Sequence, residues 1–139
     1  MYDIQRSFEA HSVEEALALL ETYPEAVLIS GGTDVLIRMK ERKLQNAILI
    51  HVANIKDLQG ISMEEDGTIE IGAATRFTPL TENAMAQEHL GALVHACSQI
   101  GSPQIRNVAT IGGNVCNGAV SADSAPSLLA YGAELVLVG

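Results

Sequence analysis

Apolar residues recur at helical spacing near the start of the chain, directly after a capping signal. Ser12 and Glu15 have the S-x-x-E spacing of a capping box, in which both side chains satisfy free amides at the start of a helix. The apolar positions that follow are Val13, Ala16, Leu17 and Leu20. This pattern predicts an amphipathic helix that ends close to Pro24.

Four other segments have the patterns of strands. Residues 26–29 are wholly apolar, which predicts a strand buried on both faces, and residues 47–52 predict another buried strand. Residues 68–73 alternate between apolar and polar positions, as in a strand with one buried face. A last apolar run, at 134–138, predicts one more strand.

Helical patterns separate these strands. A short helix is expected after Thr33 or Asp34, and an apolar stripe over 90–100 predicts a helix that ends at Gly101. Residues 123–130 predict a further helix. Strands and helices joined by short connections indicate an α+β fold.

The composition narrows the class of protein. The 139 residues are 47% hydrophobic and 18% charged, which is typical of a folded globular chain. The net charge of −9 disfavours binding to nucleic acid or to an anionic membrane surface. No apolar run reaches the roughly 18 residues of a membrane-spanning helix. The opening residues lack a secretory signal, so we expect a cytoplasmic protein with Cys97 and Cys116 as buried, reduced thiols.

Two glycine pairs are the candidate chemical sites. The first lies in Ser30-Gly31-Gly32-Thr33-Asp34, after a predicted strand, and the second in Thr110-Ile111-Gly112-Gly113-Asn114. Paired glycines allow backbone N–H groups to approach an anion, and two such loops that converge would hold the phosphates of a dinucleotide. Either pair alone is more simply a tight turn. No metal-binding cluster or nucleophile–base pair is evident, which favours a cofactor that supplies its own chemistry.

The two glycine segments resemble the flavin-binding loops of one known family. Val27-Leu28-Ile29-Ser30-Gly31-Gly32-Thr33-Asp34 is similar to the first loop, and Thr110-Ile111-Gly112-Gly113-Asn114 to the second loop, of the FAD-binding subunits of molybdenum hydroxylases. The segments 71–75, 101–109 and 121–124 also resemble this family. The likeness runs from about Tyr2 to Gly139 and is greatest to the bacterial xanthine dehydrogenase subunits.

The resemblance implies a two-lobed FAD-binding domain of the vanillyl-alcohol-oxidase type, incomplete at its C-terminus. Residues 1–55 would form the first lobe and residues 56–139 the second, with FAD between them. The cofactor-binding residues would be Val27, Leu28, Ile29, Ser30, Gly31, Gly32, Thr33, Asp34, Thr110, Ile111, Gly112, Gly113, Asn114 and Asp123.

Individual roles also follow from the resemblance. The backbone amides of 30–33 would hold the pyrophosphate, and the second loop would hold the phosphate and ribityl region through Thr110, Gly113 and Asn114. Asp123 would bind the adenosine portion. The family usually has alanine where this chain has Ser30. A carboxylate repels a pyrophosphate, so we expect Asp34 to cap the following helix instead.

By the same resemblance, the protein would be an oxidoreductase component without catalytic side chains of its own. Electrons would pass from [2Fe–2S] clusters through FAD to NAD⁺ or another acceptor while a purine or related heteroaromatic is oxidised. The clusters and the molybdopterin would belong to partner subunits. Two alternatives stay open at this point: a flavin-free assembly or binding subunit, and a stand-alone flavoenzyme.

Overall fold

The first part of the chain combines strands with helices, and the part after residue 76 is helical. The computed structural model describes residues 2–139. The elements are β1 (Ile4–Glu9), α1 (Val13–Thr22), β2 (Val27–Ile29), α2 (Val35–Lys40), β3 (Ala47–His51), a 3₁₀ turn (Lys56–Leu58), β4 (Ile61–Met63), β5 (Ile69–Ile71), α3 (Phe77–Glu82), α4 (Ala84–His89), α5 (Gly91–Ser98), α6 (Pro103–Arg106), α7 (Ile111–Asn117) and α8 (Ser124–Ala130). The predicted α+β class is confirmed.

A three-stranded parallel sheet organises residues 4–51. The strand order is β1-β3-β2, so β3 lies in the centre and is hydrogen-bonded on both sides. Leu49 is paired with Ser7 of β1 and with Val27 of β2. The central position of β3 explains its wholly apolar start, because a strand with helices on both faces has no polar side.

The helices α1 and α2 cover opposite faces of this sheet. Ile50 is buried with Ala16 of α1, whereas the neighbouring Leu49 is buried with Met39 of α2. Successive side chains of a strand point to opposite faces, so adjacent residues of β3 supply two separate cores. The capping box of α1 is present in a shifted form. Ser12 accepts from the amide of Glu15, and the Glu15 carboxylate accepts from the amide of His11 at 2.8 Å.

A third core forms among the helices of the second half. Phe77, Leu80, Leu93 and Cys97 are almost fully buried there, and the antiparallel pair β4–β5 packs its apolar side against them. The Ala74 amide donates a hydrogen bond of 2.7 Å to the Leu58 carbonyl, which joins the segment after β5 to the 3₁₀ turn before β4.

Two strand predictions need correction. The segment 26–29 is not buried on both faces, because Leu28 is 46% exposed on one face whereas Ile29 is buried on the other. Residues 134–138 are outside any strand, and Val136 and Leu137 are largely exposed. Apolar composition alone does not make a strand, since a strand needs a neighbour to satisfy its backbone, and no described strand pairs with this run.

Two predictions concern the whole chain: its division into two lobes and its lack of a membrane-spanning helix. The division into lobes at residue 55 stays a prediction. Across residues 2–139, no helix is both long enough and apolar enough to cross a bilayer.

Candidate functional site: a crevice between two glycine segments

A crevice with a volume of about 390 Å³ lies between the two glycine segments. One wall is formed by the loop from Ser30 to Asp34 and by the start of α2. The opposite wall is formed by Ile105, Ala109 and the exposed side of α7. The first wall follows the carboxyl end of β2, which is where ligands bind to open parallel sheets. The volume falls in the usual range of small-molecule sites, about 300–1,000 Å³.

Gly31 brings the two walls together. A Cβ added at this position would overlap the carbonyl oxygen of Val108 and would lie 2.8 Å from the Cα of Ala109. Only glycine allows the first loop to approach the backbone that leads into the second segment. The two glycine segments therefore share one crevice, as the sequence predicted.

The first loop contains a run of free backbone donors. No described residue accepts a hydrogen bond from the amide N–H groups of Gly31, Gly32, Thr33 or Asp34. Gly32 has a φ of +75°, a left-handed conformation that favours glycine. Successive amides around such a turn form a concave donor surface that suits an anion. The loop thus has the free donors expected for a diphosphate.

The second segment differs, because its amides are already used inside the protein. It is the first turn of α7 rather than a loop, with Thr110 as the capping residue. The amide of Gly113 donates to the Thr110 hydroxyl, and the amide of Gly112 donates to the Ala73 carbonyl at 2.9 Å. A Cβ on Gly112 would lie 2.6 Å from that carbonyl oxygen. Gly112 therefore serves close packing against residue 73, and the expected second loop is the start of a helix.

Asn114 is a polar side chain of this wall with an unused donor. Its side-chain oxygen accepts a hydrogen bond of 2.5 Å from the hydroxyl of Ser124, which is fully buried at the start of α8. That bond fixes the orientation of the amide group. Its Nδ2 donates to no described residue, and Asn114 lines the crevice. The second wall thus contributes an oriented side-chain donor where the first contributes backbone amides.

Asp34 does not cap α2, contrary to the sequence-based expectation. It occupies the N-cap position, but its backbone is helical, with φ −96° and ψ −43°, whereas a capping residue is extended. Its carboxylate instead accepts a hydrogen bond of 3.1 Å from the side-chain amide of Asn117, across the crevice. Asn117 was missed by the sequence analysis. It lies three residues after Asn114 on α7, so recognition of that helix would have placed both on one face.

Apolar and basic side chains complete the crevice. Leu28, Ile37 and Ile105 line it and are 46%, 54% and 38% exposed. Arg38 also lines it and forms no ion pair with any described residue. The hydroxyl of Ser30 is buried there without a hydrogen-bond partner among residues 2–139. Apolar surface, one available cation and unused donors are what a large anionic cofactor with aromatic rings requires.

The structure brings most of the predicted residues together. Ten of them line the crevice: Val27, Leu28, Ser30, Gly31, Gly32, Thr33, Asp34, Thr110, Gly113 and Asn114. Ile29 and Ile111 are buried in cores, Gly112 packs on Ala73, and Asp123 is outside the crevice lining. The assignment of each of these residues to a cofactor stays a proposal.

The two cysteines lie in contrasting environments. Cys97 is buried, and burial, together with the nearby carboxylate of Asp123, raises the pKa of its thiol to about 12. Cys116 is exposed and lines the crevice, which corrects the expectation that both thiols are buried. Both are free. Among residues 2–139, no three His, Cys, Asp or Glu side chains form a group that could hold a metal ion.

The fold and the crevice together define a class of protein. The class is that of domains that bind a dinucleotide cofactor. Its features here are a parallel sheet, a loop with unused amides at the end of a strand, and a second wall in contact with Gly31. Comparison with known proteins identifies the family. Residues 3–139 match the family described as FAD binding domain in molybdopterin dehydrogenase, and the chain belongs to that family. The unused donors of the first loop fit the diphosphate of FAD.

Individual relatives support this membership. The chain is 47% identical over 135 residues to a xanthine dehydrogenase FAD-binding subunit of Escherichia coli O157:H7, covering 97% of this chain and 46% of that protein. It is 38% identical to a nicotinate dehydrogenase FAD-subunit of Eubacterium barkeri, covering 94% and 44% of the two chains. The chain spans about half the length of the curated relatives it matches.

A solved structure supports the fold. A carbon monoxide dehydrogenase of Hydrogenophaga pseudoflava contains a chain that is 36% identical and superposes with a TM-score of 0.81. The match covers 85% of this chain and 41% of that one. The FAD-binding α+β fold implied by the resemblance is thereby confirmed.

Proposed function

We propose that the protein is the FAD-binding component of a molybdenum-containing dehydrogenase. In this proposal electrons from iron–sulfur clusters reach NAD⁺ or another acceptor by way of FAD, while a purine or related heteroaromatic is oxidised elsewhere in the complex. The clusters and the molybdopterin belong to partner subunits. The relatives named for xanthine and nicotinate dehydrogenases support this class of reaction.

The observation that carries the proposal is the row of unused amides in residues 31–34, which line a crevice in a chain whose family is described as FAD-binding. The titratable side chains that line that crevice are Asp34, Arg38 and Cys116, and none of the described histidines lines it. Bound FAD supplies hydride and single-electron transfer. The task of the protein is therefore to bind and orient the cofactor.

The residues present divide this task between the two walls. The amides of 31–34 would hold the diphosphate, and the Nδ2 atom of Asn114 would donate to a neighbouring oxygen of the cofactor. Leu28 and Ile37 would exclude water from its apolar parts. Asp123 stays a candidate for the adenosine portion. Its neighbour Ser124 donates a hydrogen bond to Asn114, so Asp123 and Asn114 belong to one connected region.

A comparison of three flavins tests the proposal. The full-length protein is titrated with FAD, FMN and riboflavin, and binding is followed by flavin fluorescence. Hydrogen bonds to a charged group contribute about 1.5–3 kcal/mol each, so FAD should bind at least about tenfold more tightly than riboflavin, which lacks phosphate. Folded protein that binds no flavin, or that binds riboflavin as tightly as FAD, would contradict the proposal.

The partners and the acceptor need separate experiments. Affinity purification of the tagged protein from its own organism should recover a cluster-containing subunit and a molybdopterin-containing subunit, with flavin bound. Recovery of those subunits without flavin would favour an assembly role.

With the purified complex, a purine should reduce the bound flavin, and NAD⁺ should reoxidise it. A cytoplasmic location stays a prediction of the sequence.

A further inference from the structure

We propose that Asp34 and Asn117 form a positioning bridge that keeps the crevice ready for an anion. The inference rests on the proposed function, since the anion is the diphosphate of FAD. Asp34 ends the amide-bearing loop, and Asn117 ends α7 on the opposite wall. The hydrogen bond of 3.1 Å between their side chains joins residues that are 83 positions apart in the chain.

The bridge resolves an electrostatic conflict in the site. A carboxylate at the end of a diphosphate-binding loop repels the ligand, yet Asp34 lines the crevice. Its oxygen is held by the Nδ2–H of Asn117, and its backbone is helical, so it does not compete for the amides at the start of α2. Removal of Asn117 would leave the carboxylate free to rotate towards the ligand or towards the loop amides.

The bridge also restrains the loop itself. Gly31 packs against the backbone of Val108 and Ala109 at one end of the loop, and Asp34 is tied to α7 at the other end. A donor surface held at both ends loses less conformational freedom when the ligand binds. The side chain of Asp34 thus acts on the ligand through Asn117 and the loop, without contacting the cofactor itself.

The bridge predicts that Asp34→Ala weakens FAD binding when Asn117 is present and strengthens it when Asn117 is replaced. Loss of one exposed hydrogen bond changes affinity by about threefold to tenfold. In the wild type, Asp34→Ala should weaken FAD binding about threefold, because the restraint is lost. In an Asn117→Ala background, which itself should bind about tenfold more weakly, Asp34→Ala should improve binding, because only the repulsion remains. Asp34→Asn keeps an acceptor for Asn117 without the charge, so it should bind at least as tightly as the wild type.

The test is a double-mutant cycle on FAD affinity, measured by isothermal titration on the full-length protein, with thermal unfolding of each flavin-free variant as a folding check. Asp57→Ala is the control for loss of charge, because Asp57 is exposed on the 3₁₀ turn and outside the crevice. A change of sign between the two backgrounds supports the bridge. The same change in both backgrounds, or an Asn117→Ala variant with wild-type affinity, overturns it. Wild-type protein that binds no FAD defeats the proposed function itself, which is a different outcome.

Discussion

The substitution Gly31→Ala tests how the crevice is assembled. The added Cβ would lie 2.8 Å from the Cα of Ala109 and would overlap the carbonyl oxygen of Val108. Carbon atoms pack at about 3.5–4.0 Å, so the loop and the opposite wall must separate by at least about 0.7 Å. Neither neighbour is the end of a flexible side chain, because both are backbone atoms.

The expected magnitude follows from hydrogen-bond geometry. A ligand that keeps its hydrogen bonds to one wall then lies about 0.7 Å farther from the donors of the opposite wall. A donor–acceptor distance of about 2.9 Å becomes about 3.6 Å, which is no longer a hydrogen bond. Loss of one bond to a charged group lowers the binding free energy by about 1.5–3 kcal/mol, so the Kd for FAD should rise by about 10- to 100-fold. The crowding should also lower the free energy of unfolding by about 1–3 kcal/mol.

The assay combines FAD titration with urea unfolding of the same flavin-free protein. Gly91→Ala is the matched control, because a Cβ there would meet nothing within 4 Å. That variant should bind FAD normally and be as stable as the wild type or slightly more stable, since alanine favours a helix over glycine. A folded Gly31→Ala variant with wild-type affinity would refute the reasoning, and so would an equal loss of affinity in Gly91→Ala.

Three further predictions concern stability and thiol chemistry. Thr75→Val should lower the free energy of unfolding by about 1–3 kcal/mol in urea melts, because the Thr75 hydroxyl bonds both backbone groups of Gly60; an unchanged midpoint would contradict this. Maleimide should label Cys116 and spare Cys97 in the native protein, and FAD should slow the labelling of Cys116, as mass spectrometry would show. Labelling of Cys116 at the same rate with and without FAD would argue against the crevice as the FAD site. The burial of Cys97 raises its pKa from 9.0 to about 12, so its contribution to stability is complete below pH 9 and is lost as the pH rises towards 12. Cys97→Ala should therefore flatten the alkaline part of the stability profile, and an unchanged slope would exclude this thiol as its source.

The elements that the sequence predicted best are those with local signals. The helix α1 follows its capping box, and the buried β3 follows its apolar run. By contrast, β1 went unpredicted, because Ile4–Glu9 is an exposed edge strand and its polar residues hide the alternation. Whether a strand is central or at an edge depends on its neighbours, which a local pattern does not contain.

The site was predicted in outline and not in detail. The glycine pairs indicated that two segments converge, and the structure places both beside one crevice. Their different uses depend on contacts distant in sequence: Gly31 faces Val108, whereas Gly112 faces Ala73. The Asp34–Asn117 hydrogen bond likewise joins two residues that only the tertiary fold brings together.

The central claim is that the first glycine loop, with its unused amides, holds the diphosphate of FAD. Nuclear magnetic resonance of the ¹⁵N-labelled protein, recorded before and after saturation with FAD, tests it most directly. The amide protons of Gly31, Gly32 and Thr33 should move downfield as they gain acceptors, whereas those of Gly112 and Gly113, which already have acceptors, should move little. Downfield shifts confined to the second pair, with the first loop unchanged, would contradict the account.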